Sequence, residues 1–207
     1  MARYRHIVFD IDGTLIDTQF AVQSALRQTV KNRTGRDMSF EELLFSFGIP
    51  GLTTLTILGV PDPEDALVEW NVHIGENRRY IKVFPGVEEL LDALEGVSVG
   101  VVTSKNSGEY RDDFMCFPVS RHIGLAVCAN HTQRHKPDPD PLLKYMELAG
   151  AKPGEVLYVG DSIYDQQCAH SAGVDFALAT WGATKDIAAE WKPAEPCELL
   201  EILNRPL

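Results

Sequence analysis

Short apolar runs that stop at a polar side chain are the feature that most constrains the fold of this sequence. The runs cover residues 6–10, 97–103, 156–160, 173–179 and, more weakly, 122–127. The first ends at Asp10, the second ends at Thr103, and Asp161 directly follows the third. Runs of this length, rich in β-branched residues, are typical of strands buried on both faces of a parallel sheet. The sequence therefore predicts such a sheet, with polar groups at the carboxyl ends of its strands.

Helical segments separate these runs. They cover residues 87–94, 139–149 and 163–172. The second has Pro139 at its start and Gly150 just after its end, which are the residues that helix termini prefer. An alternation of strands and helices predicts an α/β fold with right-handed crossovers.

Residues 18–83 break this alternation, because they read as helical throughout. Residues 18–31 place an apolar side chain at every fourth position, residues 39–42 read as a capping box that opens a helix ending at Gly48, and a further helix begins at Asp62. We interpret this block as an inserted cap that covers the strand ends. The predicted division is a catalytic core of residues 1–17 and 84–207 with an all-helical cap of residues 18–83.

The strongest chemical signal is the string Asp10-Ile-Asp12-Gly13-Thr14-Leu15-Ile16-Asp17. A carboxylate at the end of a strand can attack a phosphoryl group if a cation offsets the repulsion between the two anions. A second carboxylate two residues later can protonate the departing oxygen and then deprotonate the attacking water. Asp10 is thus the candidate nucleophile and Asp12 the candidate general acid and base. The alternative is an aspartate-stabilised turn after a strand.

Polar groups after other strands add to this signal. Asp161 is a candidate Mg²⁺ ligand with Asp165 supporting it, although a residue at this position can equally cap the next helix. Thr103 and the backbone N–H of Ser104 can cradle a phosphate, although many strands end in Thr-Ser. Lys136 can neutralise phosphate oxygens, although most lysines are only solvated.

Charge and composition exclude several classes of function. The chain of 207 residues has 30 acidic and 19 basic side chains, and its formal net charge of −11 disfavours nucleic acids and anionic membranes as partners. No apolar stretch reaches membrane-spanning length, and the amino terminus has no apolar signal core. We therefore expect a cytoplasmic protein, monomeric or homodimeric, that acts on a small-molecule phosphate.

The motifs together resemble the haloacid-dehalogenase-like hydrolase superfamily, and most closely its phosphoglycolate phosphatase and pyrophosphatase branch with a helical cap. They are, in the family's order, DIDGTLIDT, VVTSK, HKPDPDPL, GDSIYD and SAGVDFALATWG. The resemblance implies a Rossmann-like core with the Asp10 strand at its centre. It also implies Mg²⁺ bound by Asp10, the Asp12 backbone carbonyl and Asp161. An acid at Asp12 favours phosphoryl transfer over dehalogenation, since a halide leaves without a proton.

These features predict a phosphatase for a small phosphorylated metabolite, such as phosphoglycolate, a sugar phosphate or pyrophosphate, that forms an aspartyl phosphate. A phosphosugar mutase of the β-phosphoglucomutase type is built from the same parts and is the alternative. A catalytically silent binding protein is a third hypothesis. Five cap cations are candidates for contacting an anionic substrate, although each is typical of a solvated surface: Arg33, Arg36, Arg78, Arg79 and Lys82.

Overall fold

A computed structural model describes residues 3–94 and 96–204 of the chain. Its strands are β1 (His6–Phe9), β2 (Ile16–Asp17), β3 (Lys82–Val83), β4 (Ser98–Val102), β5 (Leu125–Val127), β6 (Val156–Gly160) and β7 (Asp175–Leu178). Its α-helices are α1 (Gln19–Thr34), α2 (Phe40–Leu43), α3 (Gly51–Ile57), α4 (Pro63–Glu76), α5 (Val87–Ala93), α6 (Ser107–Glu109), α7 (Asp140–Ala149), α8 (Ile163–Ser171) and α9 (Leu199–Leu203).

Five strands form one parallel sheet in the order β5-β4-β1-β6-β7, with β1 at the centre. His6 lies opposite Ser98 on one side and Val156 on the other, which fixes the register of the three middle strands. Every residue of β6 is buried, as expected for a strand that helices cover on both faces. The predicted α/β fold with a Rossmann-like parallel sheet and a helical insertion is confirmed.

The helical cap consists of α1 to α4, which lie between two short strands. β2 pairs antiparallel with β3, so that the chain leaves and re-enters the core at one place. That pairing supports the predicted boundaries between core and cap, after residue 17 and before residue 84. The division into these two parts stays a prediction. The capping box of Ser39 and Glu42 is present, but α2 ends at Leu43 and continues only as a 3₁₀ turn. Sequence reasoning missed α3, which follows the loop of residues 47–50.

Two buried apolar clusters hold the core together, one on each face of the sheet. One contains Ile7 and Phe9 of β1 and continues into the cap through Leu26 and Trp70. The other contains Val8 of β1 and the side chains that α7 and α8 pack against the sheet. Successive residues of β1 therefore serve opposite faces, as the two-residue repeat of a strand requires. None of the helices in the described ranges combines the length and the apolar character needed to cross a bilayer.

We expect Gly100→Ala to destabilise the protein by about 1–3 kcal/mol, the usual cost of overpacking a core. Gly100 lies inside β4, and a Cβ atom there would come within 2.2 Å of the Tyr145 ring, which is 1% exposed and cannot move aside freely. Gly124→Ala is the matched control, because its Cβ would meet only ordinary contacts at 3.5 Å. Urea unfolding of both variants tests this, and equal midpoints would contradict it.

Candidate active site

The carboxyl edge of the sheet brings together the polar residues that follow three neighbouring strands. Asp10 follows β1, Thr103 follows β4 and Asp161 follows β6, and these strands are adjacent in the order β4-β1-β6. Asp10 and Thr103 are each 3% exposed. The Asp10 backbone N–H donates to the Val159 carbonyl at 2.8 Å, so its position is set by the parallel ladder itself.

Lys136 joins two of the buried aspartates. Its Nζ lies 3.0 Å from Asp10 Oδ1 and 2.7 Å from Asp165 Oδ1, and its side chain is only 1% exposed. The Tyr158 hydroxyl lies 2.9 Å from the same Asp165 oxygen. The Ser162 hydroxyl donates to the other Asp165 oxygen at 2.5 Å. Asp165 therefore has partners on both oxygens and holds the Lys136 ammonium against Asp10.

Burial dominates the electrostatics of this cluster. It raises the pKa of Asp10 to about 7, an effect that the Lys136 charge opposes and that the charges of Asp165 and Asp12 reinforce. Burial also raises the pKa of Asp161 well above its usual range, with further contributions from Asp165 and Asp10. Burial alone would lower the pKa of Lys136, but the charges of Asp10 and Asp165 outweigh it and raise that pKa. Asp10 and Asp161 thus lie near too little positive charge to hold their pKa values in the usual range.

The turn after β1 positions Asp161. Gly13 adopts φ +80°, and a Cβ there would lie 2.4 Å from Asp161 Oδ2, so both the turn and the close approach require glycine. The Thr14 hydroxyl donates to Asp161 Oδ1 at 3.1 Å. The Trp181 indole N–H in turn donates to the Thr14 carbonyl at 2.9 Å. Ser162, and not Asp161, caps the amino terminus of α8, because its hydroxyl accepts from the Asp165 N–H at 3.2 Å. The Asp161 carboxylate is therefore not used as the helix cap.

Asp12 pairs with a lysine to which sequence reasoning assigned no role. Lys105 Nζ lies 3.2 Å from Asp12 Oδ1 and 3.2 Å from Asp113 Oδ2. Lys105 is 8% exposed, and the charges of Asp12 and Asp113 raise its pKa although burial opposes this. The cap residue Arg78 approaches Asp113 at 3.4 Å on its other side. Asp12 is therefore held at the end of a row of alternating charges.

Thr103 and Ser104 begin the loop after β4. The Thr103 hydroxyl accepts from the Lys105 N–H at 3.2 Å. The Ser104 hydroxyl donates to the Gly48 carbonyl of the cap at 2.8 Å, so this side chain links core and cap. The predicted phosphate contact of Ser104 uses its backbone N–H, not its side chain. The bond to Gly48 therefore does not test that prediction.

A cavity of about 80 Å³ lies between the cap and this edge of the sheet. The core contributes six polar side chains to its wall: Asp10, Asp12, Ser104, Lys105, Glu109 and Asp113. The cap residue Asn71 also lines it and donates to Glu109 Oε1 at 3.3 Å. The candidate nucleophile and the candidate general acid thus line one cavity.

Comparison with known proteins agrees with this geometry. Residues 7–179 match the haloacid dehalogenase-like hydrolase family, which is most of the chain. The chain belongs to that family. It is 34% identical over 178 residues to "Putative pyrophosphatase PpaX" of Caldanaerobacter subterraneus, covering 84% of this chain and 81% of that protein. It is 30% identical over 216 residues to a phosphoglycolate phosphatase of Xylella fastidiosa, covering 98% of this chain and 92% of that one.

A crystal structure of a Lactobacillus plantarum protein superposes with a TM-score of 0.89 at 28% identity, covering 98% of this chain and all of that one. This haloacid dehalogenase-like chain is therefore an enzyme of the hydrolase family, and its relatives are named as phosphatases within it.

The acidic cluster has the composition of a divalent-cation site. Asp10, Asp161 and Asp165 each place a carboxylate oxygen within 4.8 Å of the others. Three carboxyl groups face the single ammonium of Lys136, so ionisation of all three requires further positive charge. Carboxylate oxygens are the ligands that Mg²⁺ prefers, so the residues fit this ion. Asp165 already has partners on both oxygens, which favours Asp10 and Asp161 as direct ligands.

The five candidate cap cations do not line the cavity of this haloacid dehalogenase-like enzyme. Arg33 pairs with Glu69, Arg36 bonds the Leu58 carbonyl, and Arg79 bonds the Tyr80 hydroxyl. Arg78 contacts Asp113 from outside the cavity, and Lys82 is exposed.

Sequence reasoning missed four residues near the site: Lys105, Glu109, Asp113 and Trp181. For Lys105, its position two residues after Thr103 was the available signal.

We expect Lys136→Met to destabilise the protein by about 3–5 kcal/mol, the usual cost of removing one partner from a buried ion pair. The change leaves Asp10, Asp161 and Asp165 without their ammonium in a buried site. Lys144→Met is the control, because Lys144 pairs only with the exposed Glu147 at the surface. Denaturant unfolding in EDTA measures both. A Lys136→Met midpoint no lower than that of the control would show that the pair contributes nothing.

Proposed function

We propose that the protein is a Mg²⁺-dependent phosphatase that hydrolyses a small phosphorylated metabolite through a phosphate ester of Asp10. The observation that carries this proposal is the contact of Asp10 with Lys136 inside the acidic cluster of Asp10, Asp161 and Asp165. Asp10 also lines a cavity that Asp12 lines. A nucleophile, an acid and an excess of cation ligands at one place are the components of metal-assisted phosphoryl transfer.

The first half of the reaction transfers the phosphoryl group to Asp10. An Asp10 oxygen attacks phosphorus, the bond to the leaving oxygen breaks, and Asp12 donates a proton to that oxygen. In the second half Asp12 removes a proton from water, the water oxygen attacks phosphorus, and the bond to Asp10 breaks. Inorganic phosphate leaves, and both aspartates return to their starting states.

The remaining predicted residues hold the phosphoryl group. The Thr103 hydroxyl, the Ser104 N–H and the Lys136 ammonium are the proposed donors; Lys136 contacts Asp10, and Thr103 and Ser104 follow the neighbouring strand β4. Asp10, the Asp12 carbonyl and Asp161 are the proposed Mg²⁺ ligands, with Asp165 supporting them through Lys136. Mg²⁺ bound there would neutralise negative charge on the transferred oxygens.

The names of the relatives supply the first substrates to test, namely pyrophosphate and phosphoglycolate, and sugar phosphates complete the panel. Glucose 1-phosphate belongs in it because it separates the two enzyme hypotheses: a mutase isomerises it, whereas a phosphatase releases phosphate. A cytoplasmic location and a monomeric or homodimeric state stay predictions.

We expect Asp10→Asn to lower phosphate release at least about 10⁴-fold, as the loss of a covalent nucleophile does elsewhere. EDTA should abolish wild-type release, and added Mg²⁺ should restore it. Asp112→Asn is the control, since Asp112 is an exposed carboxylate paired with Arg111. Phosphate release from the panel measures all three. Near-wild-type activity of Asp10→Asn, or full activity in EDTA, would contradict the covalent, metal-dependent mechanism.

We expect Lys105→Met to impair the protonation of poor leaving groups, because Lys105 holds Asp12 in place. The kcat/KM for ethyl phosphate should fall about 10- to 100-fold, part of the usual contribution of general acid catalysis. The kcat/KM for acetyl phosphate should fall far less, since acetate departs without a proton. Lys105→Arg keeps the charge and should recover part of the loss. Equal losses for both substrates would indicate a purely structural role.

A further inference from the structure

We infer that the leaving group of the natural substrate is an uncharged alcohol, and that Glu109, held in place by Asn71, discriminates against leaving groups that carry a carboxylate or a phosphate. The inference rests on the proposed function and narrows it. It follows from the charge and the polarity of the cavity beside Asp12.

The charge of the cavity wall opposes a second anion. Besides Asp10 and Asp12, the wall contains Glu109 and Asp113. Among the described residues, Lys105 is the only cation that lines it, and its Nζ is already 3.2 Å from both Asp12 and Asp113. No described cation forms an ion pair with Glu109, whose oxygens accept from the N–H groups of Asn71 and Asn106, and the Lys105 charge acts on it only at longer range. An anionic leaving group would therefore face a wall with more carboxylates than cations.

The cap side of the wall is apolar. It consists mainly of Val22, Phe47, Ile49, Leu67, Trp70 and Ile74. The Trp70 indole N–H donates to the Val22 carbonyl at 3.1 Å, so it is not available to a ligand. A charged group that loses its water against such a wall without a partner is strongly disfavoured, whereas the methylene groups of an alcohol gain from burial.

Asn71 and Asn106 hold Glu109 at the wall of the cavity. The Asn71 amide donates to Glu109 Oε1 at 3.3 Å, and the Asn106 backbone N–H donates to Glu109 Oε2 at 2.8 Å. Both donors are neutral, so they fix the carboxylate without balancing its charge. A carboxylate or phosphate on the leaving group would meet this charge, whereas an uncharged alkyl group would not.

A matched pair of substrates tests the inference. Phosphoglycolate and the phosphate ester of glycolamide have the same size and differ in a carboxylate against a carboxamide. We expect kcat/KM with Mg²⁺ to be at least about tenfold higher for the glycolamide ester, because the half-buried Glu109 carboxylate repels a second negative charge on the leaving group. Pyrophosphate should be hydrolysed less efficiently than ethyl phosphate, since its leaving group is an anion.

Variants of the wall test which residues are responsible. Asn71→Lys places a cation beside Glu109 and should reduce the preference for the glycolamide ester about tenfold, and Glu109→Gln should change it in the same direction. Val72→Lys is the matched control, because Val72 is the next residue of α4 and is exposed, and it should leave the preference unchanged.

The outcomes separate this inference from the proposed function. If acetyl phosphate is hydrolysed with Mg²⁺ but phosphoglycolate or pyrophosphate is preferred over the uncharged esters, the inference is wrong and the proposed function stands. A preference that Val72→Lys changes as much as Asn71→Lys also overturns it. If the wild type releases no phosphate from any of these compounds, the proposed function fails and the inference fails with it.

Discussion

Lys136 is the cation that contacts both Asp10 and Asp165 at the carboxyl edge of the sheet, and among the residues that the structure describes no other cation contacts either of them. Its ammonium contacts Asp10 at the end of β1 and Asp165 in the first turn of α8. The Tyr158 hydroxyl of β6 lies within hydrogen-bond distance of Asp165 and of the Val102 carbonyl of β4. The ion pairs of Lys136 and this hydroxyl together connect three strands and a helix. The strand ladder fixes the backbone of Asp10, but a buried charge is tolerated only when it is paired, so the ionised Asp10 side chain depends on Lys136.

The central sheet was predictable because its signal is local. The three middle strands, β4, β1 and β6, are short apolar runs that contain β-branched residues and are mostly buried, so composition marks them. The helix α3 gave no comparable signal: it is seven residues long, three of them threonine, which has a modest helix propensity. The strands β2 and β3 are two residues each, too short to show any periodicity, and only their pairing reveals them.

The site was predictable as far as parallel topology determines it. Residues that follow neighbouring parallel strands meet at one edge, so Asp10, Thr103 and Asp161 could be grouped before any coordinates were known. The partners of Asp12 could not, because Lys105 and Asp113 depend on how the chain from α6 to Phe114 folds back over that edge. The pairing of Asn71 with Glu109 joins the cap to the core across 38 residues of sequence, and no sequence pattern reports such a contact.

The contacts that close the cap are also those that shape the cavity. Ser104 bonds the Gly48 carbonyl, Asn71 bonds Glu109, and Arg78 pairs with Asp113. Hydrogen bonds of this kind contribute only about 0.5–1.5 kcal/mol each on balance, because water replaces the partners when they separate. Opening the cap would therefore cost little at these positions, yet it would remove Asn71 from Glu109 and release Asp113 from one of its two cations. A leaving group that the closed wall accommodates favours the same state in which Lys105 holds Asp12, so selection of the substrate and positioning of the acid would occur together.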